Sequence, residues 1–220
     1  MSRIYCYAVL LASLACPLPA SAASATDVAP TAQSRKGADF LGEIASRDAI
    51  RVADWVKASL NNEDRPFVII DKVHARVYLF DRHAKLLGAA SALLGLGRGD
   101  DSVAGIGRRK LSTITPKERT TPAGRFIASL GNDYTQDILW VDYDLALSLH
   151  RVIAGNVKDR RHQRLASATA LDNRISYGCI NVTVAFYDKL IIPAFTGTTG
   201  VVYILPETKA IEEVFAMAAP

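Results

Sequence analysis

Apolar residues recur at two different periods along the chain, and the change of period divides it. Between residues 39 and 60, Phe40, Leu41, Ile44, Val52, Trp55, Val56 and Leu60 fall mostly three or four positions apart. That spacing predicts one amphipathic helix packed by its stripe. Asn61-Asn62-Glu63-Asp64-Arg65-Pro66 ends it. From Phe67 onward the apolar runs are short and separated by charged turns: Phe67-Val68-Ile69-Ile70, then Arg76-Val77-Tyr78-Leu79-Phe80, the turn Asp81-Arg82-His83-Ala84, and a small-residue strand over residues 86–96. This pattern predicts a β-meander. Residues 95–107 hold five glycines and the pair Asp100-Asp101, and read as a long loop.

Further on, residues 126–130 and 138–141 predict two strands around a Gly131-Asn132-Asp133 turn. Residues 145–152 form an apolar stretch (Leu145, Leu147, Leu149) that leads into His150. Residues 155–174 are polar and rich in arginine. Residues 183–191 read as a helix, 201–205 as a last strand, and 211–217 as a short tail helix. The expected architecture is mainly β with a few helices. It forms a single domain over residues 66–205, after a leader and helix at 26–65 and before a tail at 206–220.

The first residues bear on compartment. Arg3 gives a positive start, residues 4–18 are almost continuously apolar, and Pro19-Ala20-Ser21-Ala22-Ala23-Ser24-Ala25 offers small-x-small cleavage sites after Ala22 or Ala25. That is the layout of a secretory signal peptide, with an apolar run too short to span a bilayer comfortably. The expectation is export to the periplasm without membrane insertion. Loss of residues 1–25 removes only Arg3 from the charge count, so 26 basic and 22 acidic residues become 25 and 22, and +4 becomes +3. So small and scattered an excess gives no case for nucleic acid, although it suits work beside an anionic polymer.

The cysteine pattern narrows the chemistry. Cys6 and Cys16 fall within residues 1–25, which leaves Cys179 as the one thiol of the mature chain in a compartment that oxidises thiols. A lone thiol is a buried apolar residue, an intermolecular partner or a nucleophile. Its surroundings, Arg174-Ile175-Ser176-Tyr177-Gly178-Cys179-Ile180-Asn181, favour the nucleophile. Gly178 permits close approach of a substrate carbonyl, and the amides of Gly178 and Cys179 are candidates to face an oxyanion. A thiol needs a base to become thiolate. His74, His83 and His162 sit in turns or in the arginine-rich stretch and read as solvated. His150 closes an apolar strand and is the candidate base.

These residues resemble the L,D-transpeptidase (YkuD-type) catalytic domain. That family's motif is a histidine, a spacer, then Ser/Thr-His-Gly-Cys, an apolar residue and Asn or Arg. Here His150 is followed by Ser176-Tyr177-Gly178-Cys179-Ile180-Asn181. The family's upstream Thr-Pro-x-Gly-x-Phe has its counterpart in Thr121-Pro122-Ala123-Gly124-Arg125-Phe126. The resemblance covers about residues 66–205 and implies a β-sandwich or barrel. Two departures stand out: Tyr177 replaces the histidine before Gly-Cys, and the spacer from His150 is longer than usual.

The resemblance implies Cys179 as the acylated nucleophile and His150 as its base, the ring oriented by the Arg151 carbonyl. Ser176, Tyr177, Gly178 and Asn181 would shape the loop and the oxyanion site. The substrates implied are peptidoglycan stem peptides, with a second stem, a D-amino acid or a lipoprotein lysine as amine acceptor, and no metal or cofactor is needed. Arg160, Arg161, Arg164 and Arg174 either line the cleft, where an anionic stem suits their guanidiniums, or form a solvated basic loop; Arg174 is the candidate substrate ligand. Three other readings stay open on sequence alone. They are an inactive wall-binding protein, an L,D-carboxypeptidase, and an amide transferase on a substrate other than peptidoglycan.

Overall fold

Strands whose two faces are both apolar set the architecture. The computed structural model describes residues 37–133 and 136–217. The expected signal segment and most of the leader lie outside them. In β1 (Phe67–Asp71), β2 (Arg76–Phe80) and β10 (Thr199–Ile204), alternate side chains enter two different cores. Val68, Ile70, Val77, Leu79, Val202 and Ile204 join one cluster, and Phe67, Ile69, Tyr78, Phe80, Val201 and Tyr203 the other. The period of two that marks a strand is here apolar on both phases, as expected of strands covered on each side.

The remaining strands are β3 (Leu86–Ser91), β4 (Leu94–Gly95), β5 (Gly124–Asp133), β6 (Gln136–Asp142), β7 (Leu147–Arg151), β8 (Arg174–Ser176) and β9 (Ile180–Val182). Eight of them form one sheet in the order β3-β2-β1-β10-β5-β6-β7-β9, and β4 pairs with β8 beside it. The expected meander is present as the antiparallel set β1, β2 and β3. The chain beyond β3 then meets the opposite end of the sheet. Leu93 and Asn181 exchange backbone hydrogen bonds of 2.8 and 2.9 Å, so the sheet curls almost into a barrel. The protein is mainly β with a few helices, as the strand pattern predicts.

Helices cover the two cores. Inside the curl, Phe186, Tyr187, Ile191 and Phe195 descend from a helical run made of α3 (Val184–Phe186), a π-helical turn (Tyr187–Ile191) and α4 (Ile192–Phe195). On the outer face, α1 (Arg47–Ser59) buries Ala49, Val52, Ala53 and Val56 beside Ile211 of α5 (Ile211–Val214) and Phe215. Each aliphatic or aromatic side chain fully removed from water there contributes about 1.5–3 kcal/mol. A short helix, α2 (Arg161–Ala166), lies in the arginine-rich stretch.

Three sequence expectations are corrected. The first helix starts at Arg47, not near residue 39. Leu41 and Gly42 have φ of 50° and 83°, which no right-handed helix admits, and Ser46 caps the true start by accepting from the Ala49 amide at 3.1 Å. Ile44, assigned to the apolar stripe, is 89% exposed. Gly131-Asn132-Asp133 is not a turn but the end of β5, paired with Ile138, Asp137 and Gln136. The single strand expected over 86–96 is two, β3 and β4, separated where the chain crosses to Asn181.

Candidate active site

The register between β7 and β9 brings the candidate chemistry together. These strands run parallel, with Leu149 opposite Ile180, His150 opposite Asn181 and Arg151 opposite Val182. Side chains alternate across a strand, so Leu149, Ile180 and Val182 enter the core while Ser148, His150 and Asn181 share the other face. Cys179, one residue ahead of β9, joins that face. Ser148 Oγ donates to Cys179 Sγ at 3.5 Å, and the thiol lies 3.5 Å from the Ala146 carbonyl.

The imidazole is held from behind. His150 Nδ1 is 2.7 Å from the Arg151 carbonyl oxygen. A carbonyl only accepts, so Nδ1 carries the hydrogen and Nε2 keeps the lone pair in the neutral ring. Asn181 Nδ2 reaches Nε2 at 3.2 Å and donates to Cys179 O at 3.3 Å, and its Oδ1 accepts from Arg161 Nη1 at 3.1 Å. A donor-only guanidinium on one side and an acceptor-only carbonyl on the other leave the amide a single satisfied orientation.

Electrostatics then favour charge separation. Burial alone would push the Cys179 thiol up and the His150 imidazole down. The attraction between the two groups overcomes this, so the thiol is lowered and the imidazole raised, with Ser148 also lowering the thiol. Both shifts favour thiolate beside imidazolium, the nucleophilic form of a cysteine.

The turn before the thiol depends on glycine. Gly178 has φ 134°, and a Cβ there would stand 2.7 Å from the Thr120 carbonyl oxygen. Its amide donates to Ser176 Oγ at 3.1 Å, and that hydroxyl donates to Cys179 O at 2.6 Å. The Gly178 N–H is therefore used inside the loop. The Gly178 carbonyl accepts from Thr121 Oγ1 at 2.7 Å, and the same hydroxyl accepts from the Gly95 amide at 2.9 Å. Thr121 of the Thr-Pro motif thus pins the cysteine loop to β4 from a fully buried position.

A cleft opens in front of Cys179. Its walls include Ile106, Leu111 and Ile114 from the connection between β4 and β5, Leu145 and Ala146 ahead of β7, and Tyr177. That connection carries 3₁₀ turns at Ile106–Arg108, Leu111–Thr113 and Pro116–Glu118.

No family model matches the chain, and no curated protein does. Among solved structures it is similar to an L,D-transpeptidase from Xylanimonas cellulosilytica DSM 15894, at 14% identity over 64% of this chain and 60% of that one, with a TM-score of 0.38. It is also similar to the LD transpeptidase LdtMt1 in complex with imipenem, at 16% identity over 64% and 59%, with a TM-score of 0.37. Both are L,D-transpeptidases. The chain spans about three-fifths of the length of each.

The remaining candidates divide between cleft and scaffold. Tyr177 is at the cleft, 37% exposed. The Arg151 side chain points away, donating to Asp188 Oδ1 at 2.6 Å and Asp137 Oδ1 at 2.9 Å, so only its carbonyl serves the site. Arg174, the candidate substrate ligand, is tied into the scaffold in this structure. It is largely buried on β8, and its Nη2 donates to Glu207 Oε2 at 2.5 Å and Lys72 O at 3.0 Å. Within the arginine-rich stretch, Arg164 bonds the carbonyls of Asp159 and Asp172 and Arg160 bonds Gln163, while Arg161 alone reaches the site, through Asn181.

One element of the site's support had no sequence signal. Lys72 is fully buried, with Nζ 2.6 Å from Asp100 Oδ1, 2.7 Å from Gly99 O and 2.9 Å from Thr121 O. Nothing about Asp71-Lys72-Val73 distinguishes it from the solvated turns around it. Among the described residues no group of His, Cys, Asp and Glu side chains is arranged to hold a metal ion.

Proposed function

We propose that the chain is an exported cysteine acyltransferase that acts on peptidoglycan stem peptides in the manner of an L,D-transpeptidase. The observation that carries this reading is the Cys179–His150 pair, set at a cleft on the face shared by β7 and β9. The pair sits within the Ser176-Tyr177-Gly178-Cys179-Ile180-Asn181 motif. The fixed tautomer of His150 and the lowered thiol support it, because acyl transfer needs a thiolate at neutral pH and a proton carrier beside it.

The steps follow from those two groups. The Cys179 thiolate attacks the amide carbonyl between an L-centre and a terminal D-residue, forming a C–S bond. The imidazolium of His150 gives its proton to the departing nitrogen as the C–N bond breaks, which leaves a thioester and a neutral ring. An acceptor amine then forms a new C–N bond, returns a proton to His150 and releases the thiolate. Water in the amine's place makes the same chemistry an L,D-carboxypeptidase.

The test is intact mass of the protein recovered from the periplasm of expressing cells, before and after incubation with a carbapenem. The expected masses are those of a chain starting at Ala23 or Thr26, and a single adduct that is lost in Cys179→Ala and forms at least tenfold more slowly in His150→Ala. A folded wild-type protein with a free thiol and no adduct would sink the acylation reading. A full-length mass would sink the export reading.

A further inference from the structure

The loop that walls the cleft is strongly basic. Residues 106–119 carry Arg108, Arg109, Lys110, Lys117 and Arg119 against one acid, Glu118. Arg109 already has its counter-charge. Its fork meets Glu118, with Nη1 to Oε1 at 2.7 Å, and also the Thr113 carbonyl. The Glu118 carboxyl is held down to about 2 by that guanidinium and by Thr115.

Arg119 has no such partner. Its Nε and Nη2 reach the Ile114 carbonyl at 3.3 and 3.2 Å, and its guanidinium lies 3.9 Å from the centroid of the Tyr177 ring. No carboxylate among the described residues pairs with it. The guanidinium lies over the ring, its Nε and Nη2 are turned to the Ile114 carbonyl, and among the described residues Nη1 has no hydrogen-bond partner, which leaves an edge a carboxylate would take. Tyr177 lines the same cleft as Cys179, two residues away.

We infer that Arg119, mounted on Tyr177, is a specificity-determining residue that draws a carboxylate of the acyl donor alongside Cys179. The preferred donor is then a carboxylate-bearing peptide and not a neutral amide. This inference rests on Cys179 being the nucleophile.

Iodoacetate and iodoacetamide test it without any knowledge of the natural substrate. Each forms an S–C bond to the thiolate and releases iodide, and they differ only in carrying a carboxylate or a neutral amide. The quantity read is the iodoacetate-to-iodoacetamide rate ratio at Cys179, normalised to that of free N-acetylcysteine. The imidazolium of His150 also attracts anions, so the comparison is made between variants. Arg119→Ala should lower the normalised ratio roughly three- to fivefold, the scale of a partly exposed ion pair. Arg119→Lys should keep part of it. Arg108→Ala, which removes an exposed charge from the same loop, should change it far less. A ratio unaffected by Arg119→Ala, or one lowered as much by Arg108→Ala, overturns the inference while leaving a reactive Cys179 in place. Failure of wild-type protein to react with either reagent removes the nucleophile reading and this inference together.

Discussion

His150 shows how much a single side chain owes to its neighbours. The Arg151 carbonyl fixes its tautomer, Asn181 faces its free nitrogen, and Arg161 fixes Asn181 in turn. Cys179 is lowered from its ordinary value because the pull of His150 outweighs burial, which alone would raise it. The sign of the pH dependence follows. Thiolate persists below the usual thiol pKa of about 8.5 while His150 is present. In His150→Ala the burial remains and the attraction is gone. The midpoint of iodoacetamide alkylation should then move up to or beyond that value, with the rate at pH 6 falling at least tenfold. Rates measured from pH 5 to 10 check this, and an unmoved profile would exclude the pair as the source of the lowering. Cys179 and His150 were legible in the sequence because one is a lone thiol in a motif and the other ends an apolar strand. Ser148 was not, because strand register alone brings it to the thiol, and Arg161 stood only as one of four arginines expected either to line the cleft or to be solvated.

At the scale of elements, strands were easier to read than what separates them. Short unbroken apolar runs located β1, β2 and β10 to within a residue or two, because packing on both faces leaves little choice of residue. Boundaries set by backbone conformation were missed, such as the left-handed residues at Leu41 and Gly42. The Thr121 hydroxyl is the clearest link between elements. It joins the Gly95 amide on β4 to the Gly178 carbonyl of the cysteine loop. Thr121→Val keeps the shape but leaves both groups buried and unpaired, at a cost of about 1–3 kcal/mol. Urea denaturation should register that loss, and alkylation of Cys179 should slow as its loop loosens. Full stability in Thr121→Val would show that water replaces the hydroxyl.

Over the whole molecule, a buried charge cluster ties distant parts of the chain to the site. Asp100 accepts from Lys72, from the Thr208 hydroxyl at 2.5 Å and from the amides of Glu207, Thr208 and Lys209 at 2.7–2.8 Å. Residues 206–220 read in the sequence as a tail, yet Glu207 and Arg174 complete this cluster, and Lys72 passes it on to the Thr121 carbonyl. Burial would raise the Asp100 carboxyl, but these donors together hold it far below the usual carboxylate range. A depressed carboxylate stabilises the fold above its unfolded pKa of about 3.9 and loses that contribution as pH falls through the folded value. Acid should therefore weaken the wild type progressively below about pH 4. Lys72→Met leaves Asp100 without its counter-ion and should cost about 3–5 kcal/mol at neutral pH. Thermal melts from pH 2 to 7 test both statements, and a Lys72→Met protein as stable as wild type at pH 7 would contradict them.

The two ends of the curled sheet are clasped through Leu93 and Asn181, and Asn181 is also the residue that faces His150. The clasp of the hoop is thus part of the candidate site. A fluctuation that parts the ends of the hoop there also disturbs the amide beside the imidazole, so local opening and loss of that contact go together. Whatever settles into the cleft and steadies Asn181 tightens the hoop in return.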